Sequence, residues 1–211
     1  AHAKDQLIDA ASKELGVARD ALRLSGDGAV CAASGARVSY GDIARMAEAP
    51  IQGHGFYKNF ESGPEAALCV QVAEVEVDPE TGRVELKQFT SAHSTGTVLN
   101  PLMHQAQIDG GVVMGMGYAL MEEVMIDGGK VVTSNFGDSK IPSICDIPKL
   151  KTVIQEFPVG NGPYGGMSIG EPPVVPTAAA IANAVHDAVG VRIYDLPITA
   201  EKVLKVLRAK R

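Results

Sequence analysis

The residue whose type and setting best suit chemistry is Glu171. It stands in the run Gly170–Glu171–Pro172–Pro173, rigid on the proline side and permissive on the glycine side. The surrounding residues 160–176 hold five glycines and four prolines, so the stretch cannot be regular structure. A helical pattern follows within about one turn, and the exposed amides of a helix start favour anions. A carboxylate held by prolines in a glycine-lined loop is suited to act as a general base. Local sequence equally allows a surface-loop glutamate, or one that caps the helix beginning at 177.

Other candidate chemistry is sparse. Cys31, Cys69 and Cys145 are isolated, which gives neither a disulfide framework nor a CxxC metal or iron–sulfur signature. His2, His54, His93, His104 and His186 form no HExxH or HxH pattern. Gly110, Gly111, Gly115 and Gly117 fall in a stretch of helical length, 104–123. Each glycine costs a helix about 1 kcal/mol relative to alanine, so four of them need a reason. Close packing through Gly111xxxGly115 supplies one, and a ligand pressed against the helix supplies another. A dinucleotide-binding fingerprint fails on context: Gly115–Met116–Gly117 lies inside the helical stretch and the third glycine is absent. P-loop, GxSxG and EF-hand signatures are missing as well.

Composition narrows the class of the 211-residue chain. Hydrophobic content of 45% argues against disorder, and acids exceed bases by 25 to 19, for a net charge of −6. No basic block suggests a nucleic-acid partner. No apolar run approaches the ~18 residues of a membrane span. The isolated cysteines fit a reduced, cytoplasmic protein, and the start at Ala1 fits a processed or cut piece.

The elements that would position Glu171 read as follows. Residues 4–15 pattern as a helix stopped by Gly16, 21–40 as small strands, and 41–48 as a short helix capped by Ser39. Residues 67–77 and 84–89 read as a hairpin across DPETGR, with a bulge near Ala73 that brings Leu68, Val70 and Val72 to the same face as Val75 and Val77. The helical stretch 104–123, a hairpin over 124–134 and a strand over 152–157 precede the glycine- and proline-rich loop. A helix over 177–189 with Gly190 as its stop, a strand over 191–195 and a last helix over 200–208 with Thr199 as N-cap close the chain. Strands and helices do not alternate regularly, which favours an α+β fold of mixed strands and helices. The expected division is residues 1–65, a helix and small-strand region, and residues 66–211, a C-terminal region.

Five pieces in series carry a resemblance: Asn100–Pro101, QIDGG at 107–111, MGMGYALMEE at 114–123, KIPSICDIP at 140–148, and GEPPVVPTAAAIANAVHDAVG at 170–190. In order and spacing they resemble the C-terminal segment of the molybdopterin-binding large subunit of the xanthine dehydrogenase and aldehyde oxidoreductase family of molybdenum hydroxylases. Residues 1–97 resemble it more loosely, through KELGV and VSYGDIARMA. The resemblance implies the family's molybdenum-cofactor-binding fold, present in this chain as an incomplete part of a larger subunit. It also implies oxidative hydroxylation of an aldehyde or an N-heteroaromatic, purine-like or nicotinate-like, with oxygen derived from water.

By motif position the resemblance makes Glu171 the base that deprotonates the metal-bound hydroxide. It makes Gln107 a hydrogen-bonding partner of the cofactor, and Gly166, Met167, Ser168, Ile169 and Gly170 the loop lying along it. Molybdenum is then held by the pterin, with no protein side chain as ligand. The implied cofactor is molybdenum with molybdopterin in the cytosine dinucleotide form, with iron–sulfur clusters and FAD in partner chains or domains. The implied partners are the remainder of the molybdenum-binding subunit, an iron–sulfur subunit, an FAD subunit and a small-molecule substrate. A chain lacking the rest of the subunit is expected to be inactive alone. The alternative is a non-catalytic cofactor-binding or structural module of the same fold. The triplet Met167–Ser168–Ile169 departs from the small residue–Lys–Gly type common in relatives.

Overall fold

The computed structural model describes residues 2–47, 49–58, 67–157 and 160–210. The chain divides into two compact units, Ala1–Lys58 and Asn59–Arg211. The boundary expected at 65/66 falls within 59–66, outside the described residues.

In the first unit, helix α1 (His2–Leu15) ends at Gly16, whose φ of 63° an L-residue side chain disfavours. Strands β1 (Leu22–Ser25), β2 (Gly28–Cys31) and β3 (Arg37–Ser39) form an antiparallel meander. Helix α2 (Tyr40–Met46) starts where the Ser39 side chain accepts a hydrogen bond from the Asp42 amide, the expected cap. It ends at Met46, four residues before the proline expected to stop it. Ala11, Leu22, Ala29, Cys31, Val38 and Ile43 form the buried core of this unit.

The second unit is built on strands β4 (Cys69–Val77) and β5 (Val84–Thr95), an antiparallel hairpin. Helix α3 (Pro101–Leu120) and a small hairpin of β6 (Ile126–Asp127) and β7 (Lys130–Val131) follow. Strand β8 (Lys149–Glu156) then pairs parallel to β5, giving the order β4–β5–β8. Helix α4 (Thr177–Val189) ends at Gly190 in the left-handed region, and α5 (Ala200–Lys210) closes the chain behind Thr199, whose hydroxyl accepts from the Lys202 amide. Leu86, Phe89, Val112, Met116, Ile181, Val185, Ile198 and Val203 interlock as the core, at about 1.5–3 kcal/mol for each such side chain removed from water.

Three local expectations are corrected. The bulge sits one strand over: Glu74 pairs with Gln88 and Val75 with Leu86, so Lys87 of β5 is the extra residue. β4 therefore alternates without a break. Cys69, Gln71, Ala73, Val75 and Val77 turn inward, while Leu68, Val70 and Val72 stay 62–66% exposed. Residues 191–195 form no strand, and the chain instead runs as a connection in which the Ile198 amide donates to Ala119 O. α3 begins at Pro101 rather than 104, with the Asn100 side chain accepting from the Met103 amide.

Candidate functional site

The site is assembled where the glycine- and proline-rich loop meets α3 and the inward face of β4. The glycines of α3 make this approach possible. A Cβ on Gly111 would stand 2.6 Å from Pro173 Cβ, and one on Gly115 would strike Thr177. Gly117 gives its space to the Glu122 side chain and Pro142, while Gly110 faces open space. Of the two reasons open for these glycines, protein packing accounts for Gly111, Gly115 and Gly117.

The loop is anchored at its front end and turned at its back end. Gly165 O accepts a hydrogen bond from the Thr97 amide at 2.7 Å, and the Gly162 amide donates to Gly166 O at 2.9 Å. The Leu99 side chain lies 3.3 Å from the place a Cβ on Gly166 would take, and Met167 packs against Gly96. The loop then closes a turn in which the Val174 amide donates to Glu171 O at 3.0 Å. The Tyr118 hydroxyl donates to Val174 O at 2.9 Å, fixing that turn to α3.

A polar network fixes it to the sheet. Gln71 Nε2 donates to Pro173 O at 2.6 Å and to Ser91 Oγ at 3.0 Å. Thr177 Oγ1 lies 2.9 Å from both Gln71 Oε1 and Pro173 O. Ser91 Oγ is in turn 2.7 Å from His93 Nε2, with Cys69 Sγ 3.7 Å from the same nitrogen. Burial pushes the His93 imidazole below its ordinary pKa, helped by nearby His104. Burial lowers His104 too, against the opposing charge of Glu156, and raises the Cys69 thiol. His93 Nδ1, His104 Nε2 and Thr95 Oγ1 are buried without a hydrogen-bond partner among the described residues.

Glu171, Ser168, Cys69, Ala67, Pro172, Val175 and Pro176 line a cleft of ≈ 420 Å³. Glu171 is exposed and does not cap α4, whose start at Pro176 has no side-chain cap. Gln107 Oε1 lies 3.5 Å from where a Cβ on Gly170 would sit, so the amide faces bare backbone beside Glu171. The structure thus gathers Gln107, Ser168, Gly170 and Glu171. Gly166 and Met167 instead serve as the anchor against residues 96–99, and Ile169 is half-buried between the two groups. Among the described residues no group of three or more His, Cys, Asp or Glu converges to hold a metal ion. A second cleft, ≈ 440 Å³, lies around Leu86, Met116, Cys145 and Pro148 and contains none of the expected site residues.

Gln71, Tyr118 and Thr177 are absent from the sequence reading of the site. The one signal for Gln71 was a polar residue among alternating apolar ones, and the misplaced bulge turned it toward solvent.

Comparisons with known proteins converge on one family. A family model described as the molybdopterin cofactor-binding domain matches residues 1–148. The xanthine dehydrogenase molybdenum-binding subunit of Escherichia coli O157:H7 is 40% identical over 144 residues, covering 67% of this chain and 19% of that protein. The solved structure of aldehyde oxidoreductase from Desulfovibrio gigas superposes with a TM-score of 0.62 at 38% identity, covering 67% of this chain and 15% of that one. Quinoline 2-oxidoreductase from Pseudomonas putida 86 superposes over 98% of this chain and 28% of its own, with a TM-score of 0.67 and 26% identity. The chain therefore spans about a fifth of the length of the curated relatives it matches.

Proposed function

This chain belongs to the molybdopterin cofactor-binding domain family of molybdenum hydroxylases, and on that premise we propose that it supplies the base-bearing wall of a hydroxylase active site. The substrate class is an aldehyde or an N-heteroaromatic, purine-like or nicotinate-like. The observation that supports this reading is Glu171 on a pinned turn in an accessible cleft, next to bare backbone at Gly170 faced by Gln107.

When bound, the molybdenum–molybdopterin group supplies the two-electron oxidant and Lewis acid of the reaction. The residues present suit such a group. Gln107 offers both an amide donor and an amide acceptor to polar pterin edges. Gly170 puts no side chain between them, and the backbone of Ser168, Ile169 and Gly170 supplies further hydrogen-bonding groups along the loop. Glu171 accepts the proton released as the water-derived oxygen is transferred to substrate carbon. Val175, Pro172 and Pro176 give that carboxylate an apolar flank.

The cofactor of this reading is the cytosine dinucleotide form, and iron–sulfur clusters and FAD in partner chains or domains would supply the electron-accepting chemistry. The remainder of the molybdenum-binding subunit completes the site, the cofactor is held within residues 66–211, and the assembly works in the cytoplasm. The chain alone turns over no substrate. No helix among the described residues is long and apolar enough to cross a membrane. Glu171→Gln in the complete enzyme tests the reading: steady-state turnover falls about 100-fold or more while molybdenum content stays native. Native turnover contradicts it.

A further inference from the structure

We propose that Gln71 is a positioning residue, whose carboxamide holds the Glu171 turn at the height and angle the chemistry requires. The inference rests on the assignment of Glu171 as base. Glu171 itself is exposed, so its placement is set by the turn it starts rather than by burial. That turn has two supports. On α3, Gly111 seats Pro173 and Tyr118 donates to Val174 O. On the sheet, the single side chain of Gln71 reaches Pro173 O and the Thr177 hydroxyl together.

The carboxamide is chemically matched to this task. Its two N–H groups go to Pro173 O and Ser91 Oγ, and its oxygen faces Thr177 Oγ1. The Thr177 hydroxyl has one proton to give, so it cannot serve Gln71 Oε1 and Pro173 O at once. Removing the carboxamide leaves Pro173 O dependent on Thr177 and takes the Gln71 donor from Ser91 Oγ. The Gly111 contact keeps the turn near its place, so the expected defect is misalignment rather than unfolding. Misplacement of about 1 Å in an active site costs on the order of 100-fold in rate. This falls on kcat when the displaced group acts in the chemical step.

Two variants separate positioning from mere packing. Gln71→Met keeps the length and removes the hydrogen bonds. Gln71→Glu keeps the shape but sets an ionised oxygen against Pro173 O. Once protonated, the same carboxyl can donate to that carbonyl, and burial favours its neutral form. Both are made in the complete enzyme and assayed with hypoxanthine, nicotinate and benzaldehyde as probe substrates and dichlorophenolindophenol as acceptor. Amide exchange of the 171–177 segment is followed in the same preparations, with no substrate present.

Expected are a kcat loss of about 10- to 100-fold for Gln71→Met with KM within about twofold and native molybdenum content. Exchange at Val174 and Thr177 should quicken while α1 stays unchanged. The activity of Gln71→Glu relative to the parent enzyme should rise as pH falls. Unchanged exchange across 171–177 overturns the inference, as does a native kcat in both variants or a loss that tracks molybdenum content. Glu171→Gln is run alongside. If it alone loses turnover, Gln71 is not a positioning residue; if it retains turnover, the base assignment itself fails.

Discussion

Gly111 and Pro173 meet so closely that no side chain fits between them: a Cβ on residue 111 would lie 2.6 Å from Pro173 Cβ and 3.3 Å from the Val174 amide nitrogen. The loop that carries Glu171 is thereby laid directly on the backbone of α3. One helical turn further on, Gly115 receives Thr177 in the same way.

This contact predicts opposite outcomes for two neighbouring substitutions. Gly111→Ala gains about 1 kcal/mol of helix propensity but overpacks a rigid ring and backbone at a typical cost of about 1–3 kcal/mol. Gly110→Ala meets nothing within 4 Å and keeps only the propensity gain. Thermal unfolding of the full chain should show a lower Tm for the first and a higher one for the second. Equal shifts would mean that the two surfaces do not touch.

Buried His93 and half-buried His104 predict an acid-sensitive fold. The folded-state pKa values of His93 and His104 lie below the ordinary ~6.5, chiefly because burial disfavours the imidazolium. Over the window between, the unfolded chain binds more protons than the folded one, so stability is lost as pH falls from ~6.5 through the lowered values. Cys69 and Ser91 face His93, and Glu156 acts on His104 in the opposite sense. Urea unfolding midpoints of the full chain between about pH 7.5 and 5 should decline, and less steeply when both histidines are replaced by glutamine. Parallel slopes would assign the acid sensitivity to other groups.

Gln107 predicts a defect in cofactor retention without a defect in folding. Its side chain is exposed, so Gln107→Met should leave the Tm of the chain unchanged. Loss of a hydrogen bond to a bound group costs about 1–3 kcal/mol, roughly five- to 150-fold in affinity. Molybdenum per enzyme after prolonged dialysis should therefore drop in the variant. Native retention would remove Gln107 from the cofactor contacts.

Much of this architecture was legible because local rules and tertiary packing agree in it. α1 and α4 combine an apolar stripe with a terminal glycine in the left-handed region, and Ser39 and Thr199 cap where expected. The start of α3 was missed because Leu102 and Met103 are 78% and 56% exposed and give no core-facing period there. The strand expected at 191–195 is β-prone but pairs with no strand among the described residues, and an isolated extended segment leaves its backbone groups unsatisfied. Within the site, Glu171 stood out through its glycine and proline neighbours. Gln71 did not, because its partner Thr177 lies 106 residues away and their pairing exists only once β4 and α4 are packed together. The family model also reaches back to residue 1, over the half in which the sequence motifs are weakest.

Proton acceptance by Glu171 is read most directly from the rate of substrate-driven reduction of the complete enzyme under single-turnover conditions. Glu171→Gln preserves the size and hydrogen-bonding reach of the side chain while removing its basicity. At native molybdenum content the reduction rate should fall by about 100- to 10,000-fold, the range a positioned general base contributes. A reduction rate equal to that of the unsubstituted enzyme would show that the proton goes elsewhere, and would contradict the catalytic role of the Gly170–Glu171–Pro172–Pro173 turn.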